Sequence, residues 1–408
     1  MGRRIAFNLT LLITSIFGTL AAYAPNWPTV CFLFGLMGTG VGGNLPVDGA
    51  LFLEFLPDAS SSLLTLLSVW WPVGQLVSSL FAWYFITGWP VEQGWRLFIA
   101  TVGVVTFVMF LIRFGLFHLF ESPKYLLSQG RQAEAVAVVH GIAYRNGKKT
   151  WLTEDILDAV VDVEDTERAP TRFSASSVLK QNLSSFSLDH IQPLFQNRKL
   201  GLTTGLIWFC WATIGMGYPL FNAFLPQYLS HGGDDASTSV TTVAMRAAAE
   251  SATPAETYRN YIIISIAGVP GSLLAAYLVD HKSPWLGRKG TLAISTFVSA
   301  MFLYLFVALG HTPTSQLIFT SVEAFCQNIM YGVLYAFTPE IFPAPVRGAA
   351  TGVASFLNRV TGLLAPLLAA NVPGDGTTAP VYLSAALILA AFVGMVLIPI
   401  ETRGRQRL

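Results

Sequence analysis

Apolar residues in this chain gather into ten long blocks separated by polar segments. The blocks run near Ile5–Ala24, Val30–Phe55, Leu63–Thr87, Arg96–Phe120, Leu200–Tyr228, Tyr261–Val279, Thr291–Leu309, Gln316–Thr338, Ala349–Ala370 and Val381–Ile400. A helix needs about 20 mostly apolar residues to cross a hydrocarbon core of about 30 Å, so each block predicts a membrane-spanning helix. Many blocks carry Gly, Pro and other small residues, which membrane helices tolerate and use for close packing.

Composition supports the same reading. Of 408 residues, 53% are hydrophobic and only 12% are charged, about half the roughly 25% charge of ordinary soluble domains. A soluble fold of this length could not hide so much apolar surface, so lipid must be the solvent for much of the chain. The net charge of +1 provides no field to recruit nucleic acid. Cys31, Cys210 and Cys326 sit inside apolar blocks at unrelated spacings, which points to reduced, buried packing residues rather than disulfides or metal ligands. His140, His190, His231, His281 and His311 fall in loops and His118 at a helix end, with no catalytic or metal-binding constellation among them. With no Walker motif either, the sequence predicts no enzyme, no direct ATP drive and no cofactor or metal.

The polar segments differ sharply in charge. One alternate set contains Arg3, Arg4, the long 120–199 segment, Lys282, Arg288, Lys289, Arg347, Arg403, Arg405 and Arg407, and holds 19 of the 24 Lys and Arg residues. The opposite set carries almost none, but has Trp27, Trp89 and Trp95 at block ends, as an interfacial belt would. The positive-inside rule therefore places the basic set and both termini in the cytoplasm. Within the 120–199 segment, Arg131–Arg145 and Thr153–Glu167 predict short surface helices, and Ser174–Ser187 predicts a polar linker. The opposite-side loop 230–258 is rich in Ala, Ser and Thr, and neither segment holds a nucleotide or metal motif.

Three local patterns occur twice, in the same order. Gly2-Arg3-Arg4 is echoed by Gly287-Arg288-Lys289, and Glu54-Phe55-Leu56-Pro57 by Glu340-Ile341-Phe342-Pro343. Glu121-Ser122-Pro123-Lys124 is echoed more loosely by Glu401-Thr402-Arg403-Gly404. The first two patterns lie 52 positions apart in one half and 53 in the other, and the second and third lie 67 and 61 apart. Matching order and spacing predict two homologous halves. The expected domains are 1–120, an N-terminal helical half; 121–199, a cytoplasmic central loop; 200–400, a C-terminal six-helix half; and 401–408, a cytoplasmic tail. In the second half two blocks precede Gly287-Arg288-Lys289, but in the first none precedes Gly2-Arg3-Arg4. The expectation is a truncated first half, lacking two helices, or roughly 60–90 residues, of a twelve-helix plan. The alternative, a signal peptide ending at Ala24, would discard a helix that the repeat needs.

At these motifs the chain resembles the major facilitator superfamily, in its sugar-porter-like branch. The two Gly-Arg loops match that superfamily's cytoplasmic loops, and Glu121-Ser122-Pro123-Lys124 resembles the signature after its sixth helix. The stretch GTGVGGNLPVDGALFLEFLP and the run Tyr218–Tyr228 resemble fungal relatives of synaptic vesicle protein two. Asn358-Arg359-Val360-Thr361-Gly362 resembles the penultimate-helix arginine motif of organic-ion and vesicle-protein relatives. Some positions depart from the patterns: Phe34, Phe120 and Lys124 replace residues common in the family, and Ser61 stands opposite Arg347. The resemblance implies an all-α membrane protein with the major facilitator fold, about ten of an expected twelve transmembrane helices being present.

A charge at mid-bilayer costs about 2.5–3.5 kcal/mol on insertion scales, so each one asks for a reason. Arg359, beside Asn358 at a block centre, reads either as an anchor for an anionic substrate or coupling acid, or as half of a fixed ion pair with Glu323. Asp48 lies one helical turn after Asn44 and either lines a cavity, titrates, or caps near the cytoplasmic third. Gln75, Gln327 and Asn328, near block centres, suit orientation of a polar substrate. Asn222, Phe221, Trp70 and Trp71 are candidate cavity walls, or plain packing. For Arg3, Arg4, Glu54, Glu121, Arg288, Glu340 and Arg347 the resemblance implies a cytoplasmic gate of ion pairs; the arginines also set topology. Gly38, Gly40, Gly42 and Gly43 permit tight helix contact.

The leading expectation is a monomeric secondary transporter that carries a small polar solute, such as a sugar, carboxylate or organic ion, by alternating access. A co-transported proton is the candidate coupling partner, and a plasma or vesicular/vacuolar membrane the expected site. The alternative is a truncated, non-transporting membrane protein with a receptor or trafficking role.

Overall fold

The computed structural model describes residues 3–56, 62–115, 120–128, 131–158, 192–231, 254–281, 283, 286–310, 312–342, 344–371 and 378–402. The expected linker 174–187 and most of loop 230–258 lie outside these residues. All regular structure among the described residues is helical. The long helices are α1 (Arg3–Ala22), α2 (Trp27–Phe55), α3 (Ser62–Gly88) and α4 (Val91–Gly115), then α8 (Arg198–His231), α9 (Pro254–Val279), α10 (Arg288–Leu309), α11 (Pro313–Ile341), α12 (Ala344–Asn371) and α13 (Thr378–Leu397). They correspond one to one with the ten apolar blocks. Among the described residues, eight are long and apolar enough to cross a membrane by length and composition, and Phe7–Ala22 is a shorter apolar helix. Outward-facing Val104, Phe107, Met109, Leu111 and Phe114 on α4, and Leu363 and Leu367 on α12, are exposed. Such surfaces are stable only against lipid, so the chain is an integral, multi-pass membrane protein. Among the described residues between α4 and α8 lie the short helices α5 (Pro123–Ser128), α6 (Gln132–Arg145) and α7 (Glu154–Asp158), and a 3-10 turn at Gln192–Phe195. The expected helix at 131–145 is present; that at 153–167 is described only at its start.

Two compact units emerge from the packing: residues 1–57 with 99–190, and 58–98 with 191–408. In the first unit, α2 starts where Asn26 accepts hydrogen bonds from Thr29 N (3.0 Å) and the Thr29 hydroxyl (2.6 Å), with Pro28 in the first turn, where its missing N–H costs nothing. Helices α1 and α2 touch through Gly40: a Cβ there would lie 2.7 Å from the Thr10 carbonyl oxygen. Only glycine lets the backbones approach so closely. Hydroxyls on α1 bond their own backbone instead of projecting into lipid, Thr14 to Thr10 O (2.8 Å) and Thr19 to Ser15 O (2.8 Å). Helices α5 and α6 pack on each other and bury Leu126, Ala135 and Val136.

In the second unit, α8 packs on α12 and α13, α9 on α3 and α11, and α10 on α11 and α13. The core between them buries Trp211, Tyr218, Phe221, Phe306 and Phe337 completely. Polar groups tie the helices where hydrocarbon supplies no partner. Trp211 Nε1 donates to Thr338 Oγ1 (2.9 Å), Ser384 Oγ to Gly217 O (2.7 Å), Trp208 Nε1 to Ala350 O (3.1 Å), and Asn358 Nδ2 to Trp211 O (3.0 Å). Cys210 and Cys326 are buried as expected, but Cys31 is exposed on α2, a face that an apolar run alone cannot distinguish from core. Helix α3 packs with the second unit although the repeat assigns it to the first half.

Candidate functional site

The second unit holds a partly open cavity of about 200 Å³ walled by α3, α8, α9 and α11. Helix α11 presents Thr320, Glu323, Ala324, Gln327, Asn328 and Tyr331 to it, a three-four-seven spacing that puts all of them on one face of a helix. Opposite stand Trp71 and Gln75 from α3, Phe221 and Asn222 from α8, and Tyr261 and Ile264 from α9. Gln75, Gln327, Asn328 and Asn222 are thus brought together, as are the wall candidates Trp71 and Phe221. Sequence reading did not place Glu323, Thr320, Tyr261 or Tyr331 in this site. The i, i+4, i+8 repeat of Glu323, Gln327 and Tyr331 was the available signal.

The local sequence explains the alignment. Proline at position 72 cannot donate to the residue four back, and the chain tightens into a 3-10 turn at Leu67–Val69 just ahead of it. The Ser68 hydroxyl bonds Thr65 O (2.7 Å), and a Cβ at Gly332 would lie 3.1 Å from Ser68 Cβ, so α3 and α11 meet closely at this turn. Two residues past it, the Trp71 ring meets Tyr335 edge-on at 4.5 Å and Tyr331 at 6.2 Å. Tyr335 also meets Trp211 edge-on (4.6 Å), and Tyr331 lies 5.4 Å from Tyr218. The result is an aromatic floor under the amides.

Glu323 is 2% exposed. Ser299 Oγ lies 3.4 Å from its Oε1, and the Tyr218 hydroxyl lies 2.9 Å from Ser299 Oγ. Asn328 turns its amide back to Ala324 O (2.8 Å). Arg359 does not form the expected alternative ion pair with Glu323 among the described residues. Its side chain is exposed on α12, with its charge acting on Tyr331 and Tyr335. Asn358 holds α12 to α8 through its bond to Trp211 O and does not line the cavity.

Asp48 has its own partners in the first unit. Asn44 Nδ2 donates to Asp48 Oδ2, and Asn44 Oδ1 accepts from the Thr10 hydroxyl (3.0 Å). The Arg113 charge acts on Asp48, while its guanidinium lies 3.3 Å from the Phe7 ring centroid. Arg113 was not singled out in the sequence, where it is one basic residue near a block end.

Several gate candidates fall into one cluster in the second unit. Arg288 Nη1 pairs with Glu340 Oε2 at 2.6 Å, both side chains nearly fully buried. Thr402 Oγ1 joins them, 3.3 Å from Arg288 Nη1 and 3.3 Å from Glu340 Oε2. Beside them Lys289 N donates to Glu401 Oε2 (3.1 Å), and Lys289 Nζ to Ile398 O (2.6 Å). Gly287, at φ 110°, sits in a region closed to most side chains and turns the chain into α10. Arg347 Nε donates to Phe342 O (3.3 Å). Glu121 and Glu401 make the same local bond, each accepting from the N–H of the next residue, Ser122 (3.4 Å) and Thr402 (3.1 Å). Arg3 and Arg4 open α1 and Glu54 lies near the end of α2; their side chains lie outside the described residues.

Comparison with known proteins agrees with this architecture. A model of the Major Facilitator Superfamily matches residues 1–286 and 234–408. MFS siderochrome iron transporter 1 of Ceriporiopsis subvermispora is 41% identical, over all of this chain and 77% of its own. The synaptic vesicle 2-related protein of Bos taurus is 27% identical, over 99% of this chain and 67% of its own. Among solved structures, the proton:xylose symporter XylE of E. coli, bound to 6-bromo-6-deoxy-D-glucose, superposes with a TM-score of 0.68, covering 99% of this chain and 82% of that one at 16% identity. With ten long helices, a helix-walled cavity and family similarity from end to end, the chain belongs to the Major Facilitator Superfamily.

Proposed function

We propose that the chain is a secondary active carrier that moves a small polar solute across a membrane by alternating access. The observation that carries this reading is the partly open cavity of about 200 Å³, where four amide side chains gather beside a cluster of aromatic rings. Gln75, Asn222, Gln327 and Asn328 orient the solute by hydrogen bonds, because amides both donate and accept. Arg359 acts from beside the cavity, through Tyr331 and Tyr335, and Asn358 positions its helix. Proton movement drives transport, with Asp48 and Glu323 as the intramembrane acids.

The Arg288–Glu340 cluster is a latch that holds the cytoplasmic side closed and separates when that side opens. Arg3, Arg4, Glu54 and Glu121 form its counterpart in the first half, by the sequence repeat, and Arg347 flanks it. On this reading residues 1–120 and 200–400 are the two halves, 121–199 and the 401–408 tail face the cytoplasm with both termini, and the protein works as a monomer in a plasma or vesicular membrane. Reconstitution of the full chain into proteoliposomes, followed by uptake of a panel of labelled sugars, carboxylates and organic ions, tests the reading. Saturable uptake that Gln327→Ala weakens supports it; a folded, monodisperse protein that moves none of the panel overturns it.

A further inference from the structure

Among the described cavity-lining residues, Glu323 is the one that carries charge. It is almost fully buried, and its described polar contact is the Ser299 hydroxyl. The described ion pairs join Arg96 to Glu92, Arg131 to Glu134 and Arg288 to Glu340, and none includes Glu323. The charge of Arg359 falls instead on Tyr331 and Tyr335. An ionised carboxylate shut away from water without a countercharge is strongly disfavoured, so Glu323 has to hold either a proton or a cation.

The walls say which cation. Trp71, Phe221, Tyr261 and Tyr331 line the same cavity, and aromatic faces attract organic ammonium groups once both are out of water. A metal ion would need several oxygen, nitrogen or sulfur ligands, and no group of three or more His, Cys, Asp or Glu that could hold one exists among the described residues. An anionic substrate would meet the carboxylate as a like charge. A neutral sugar would leave its protonation unchanged.

Resting on the carrier reading, we propose that the cavity takes a small monovalent organic ammonium ion, and that Glu323 holds this cation or a proton but never both. The carrier is then an exchanger rather than a co-transporter. As the ammonium docks, the O–H bond of the Glu323 carboxylic acid breaks, its proton passes to solvent at the open mouth, and the carboxylate pairs with the cation. After the cation leaves on the other side, the carboxylate takes a proton from that side. One positive charge crosses in each direction, so the cycle moves no net charge. The other groups that face Glu323 are the Ser299 hydroxyl of α10, the Tyr218 hydroxyl of α8 behind it, Cys326 and Tyr331 on α11 and Tyr261 of α9 across the cavity. Hydroxyls and thiols of these kinds keep their protons at neutral pH, which leaves the carboxylate to make the trade.

The test uses the full chain, with tetraethylammonium, D-xylose and benzoate as cationic, neutral and anionic probes. In acid-inside proteoliposomes tetraethylammonium should enter while protons leave, without dependence on membrane potential. In detergent its affinity should rise about tenfold per unit of pH while Glu323 carries a proton. Glu323→Gln should abolish this binding. Glu323→Asp should keep a pH-dependent but weaker site, and Trp71→Phe should bind better than Trp71→Ala; these two comparisons decide the matter if Glu323→Gln does not fold. Tetraethylammonium binding without pH dependence, or entry of protons alongside it, overturns the exchange. Uptake of xylose or benzoate without tetraethylammonium overturns the cation assignment and leaves the carrier standing, whereas a folded protein that moves no solute of the wider panel overturns both.

Discussion

Arg288 and Glu340, 52 positions apart in sequence, meet at 2.6 Å with side chains 5% and 2% exposed. Glu340→Gln removes the carboxylate charge that meets the buried guanidinium, and should cost about 3–5 kcal/mol, seen as a large drop in thermal midpoint. The double change Arg288→Met with Glu340→Leu should recover most of that stability, because removing both charges also removes the desolvation penalty. If the pair is a latch, the double variant should still bind solute but leak between open states in single-molecule distance measurements. A latch role fails if the state populations do not move.

Gly40 is where α1 and α2 touch, and a Cβ there would meet the Thr10 carbonyl. Gly40→Ala should therefore destabilise the protein by about 1–3 kcal/mol, through forced separation of the two helices. Gly38→Ala and Gly42→Ala, with nothing within 4 Å of the added carbon, should be neutral or stabilise by up to about 1 kcal/mol through helix propensity. Thermal unfolding of the three variants in one detergent checks the contrast.

Asn358 donates across helices to Trp211 O at 3.0 Å. Replacing it by Ala should cost about 0.5–2 kcal/mol and lower the thermal midpoint without abolishing solute binding. Loss of binding in a variant of normal stability would show that Asn358 touches the solute directly.

Gln327 faces the cavity from the middle of α11. Gln327→Ala removes a neutral hydrogen-bonding group worth about 0.5–1.5 kcal/mol, so the solute's apparent affinity should fall about two- to tenfold with folding unaffected. Uptake kinetics measure this, and an unchanged KM would remove Gln327 from the site.

Much of this was legible in the sequence. Each of the ten apolar blocks coincides with a long helix among the described residues, eight of them long and apolar enough to cross a membrane, because the length of a span is set by bilayer thickness and hydrophobicity read along the chain measures it directly. The repeat was legible because paired motifs need only order and spacing, and Glu121 and Glu401 each accept a bond from the following N–H. Gln75, Gln327 and Asn328 stood out as candidates for the same reason, being polar near block centres where lipid permits little polarity.

Facing direction was the harder matter. In lipid, outer and inner helix faces are both apolar, so periodicity that would mark a buried side in water is muted. That is why Cys31 turned out exposed, why Arg359 stands apart from Glu323, and why Arg113 beside Asp48 passed unnoticed. Sequence alone determined the number of helices, their membrane setting and the family, since these follow from composition, length and motif spacing. Only the tertiary structure decided that α3 packs against α9 and α11, that Trp71 meets Tyr335, and that Glu323 lies buried in the cavity wall with no ion pair among the described residues, because these depend on how helices rotate to fit one another.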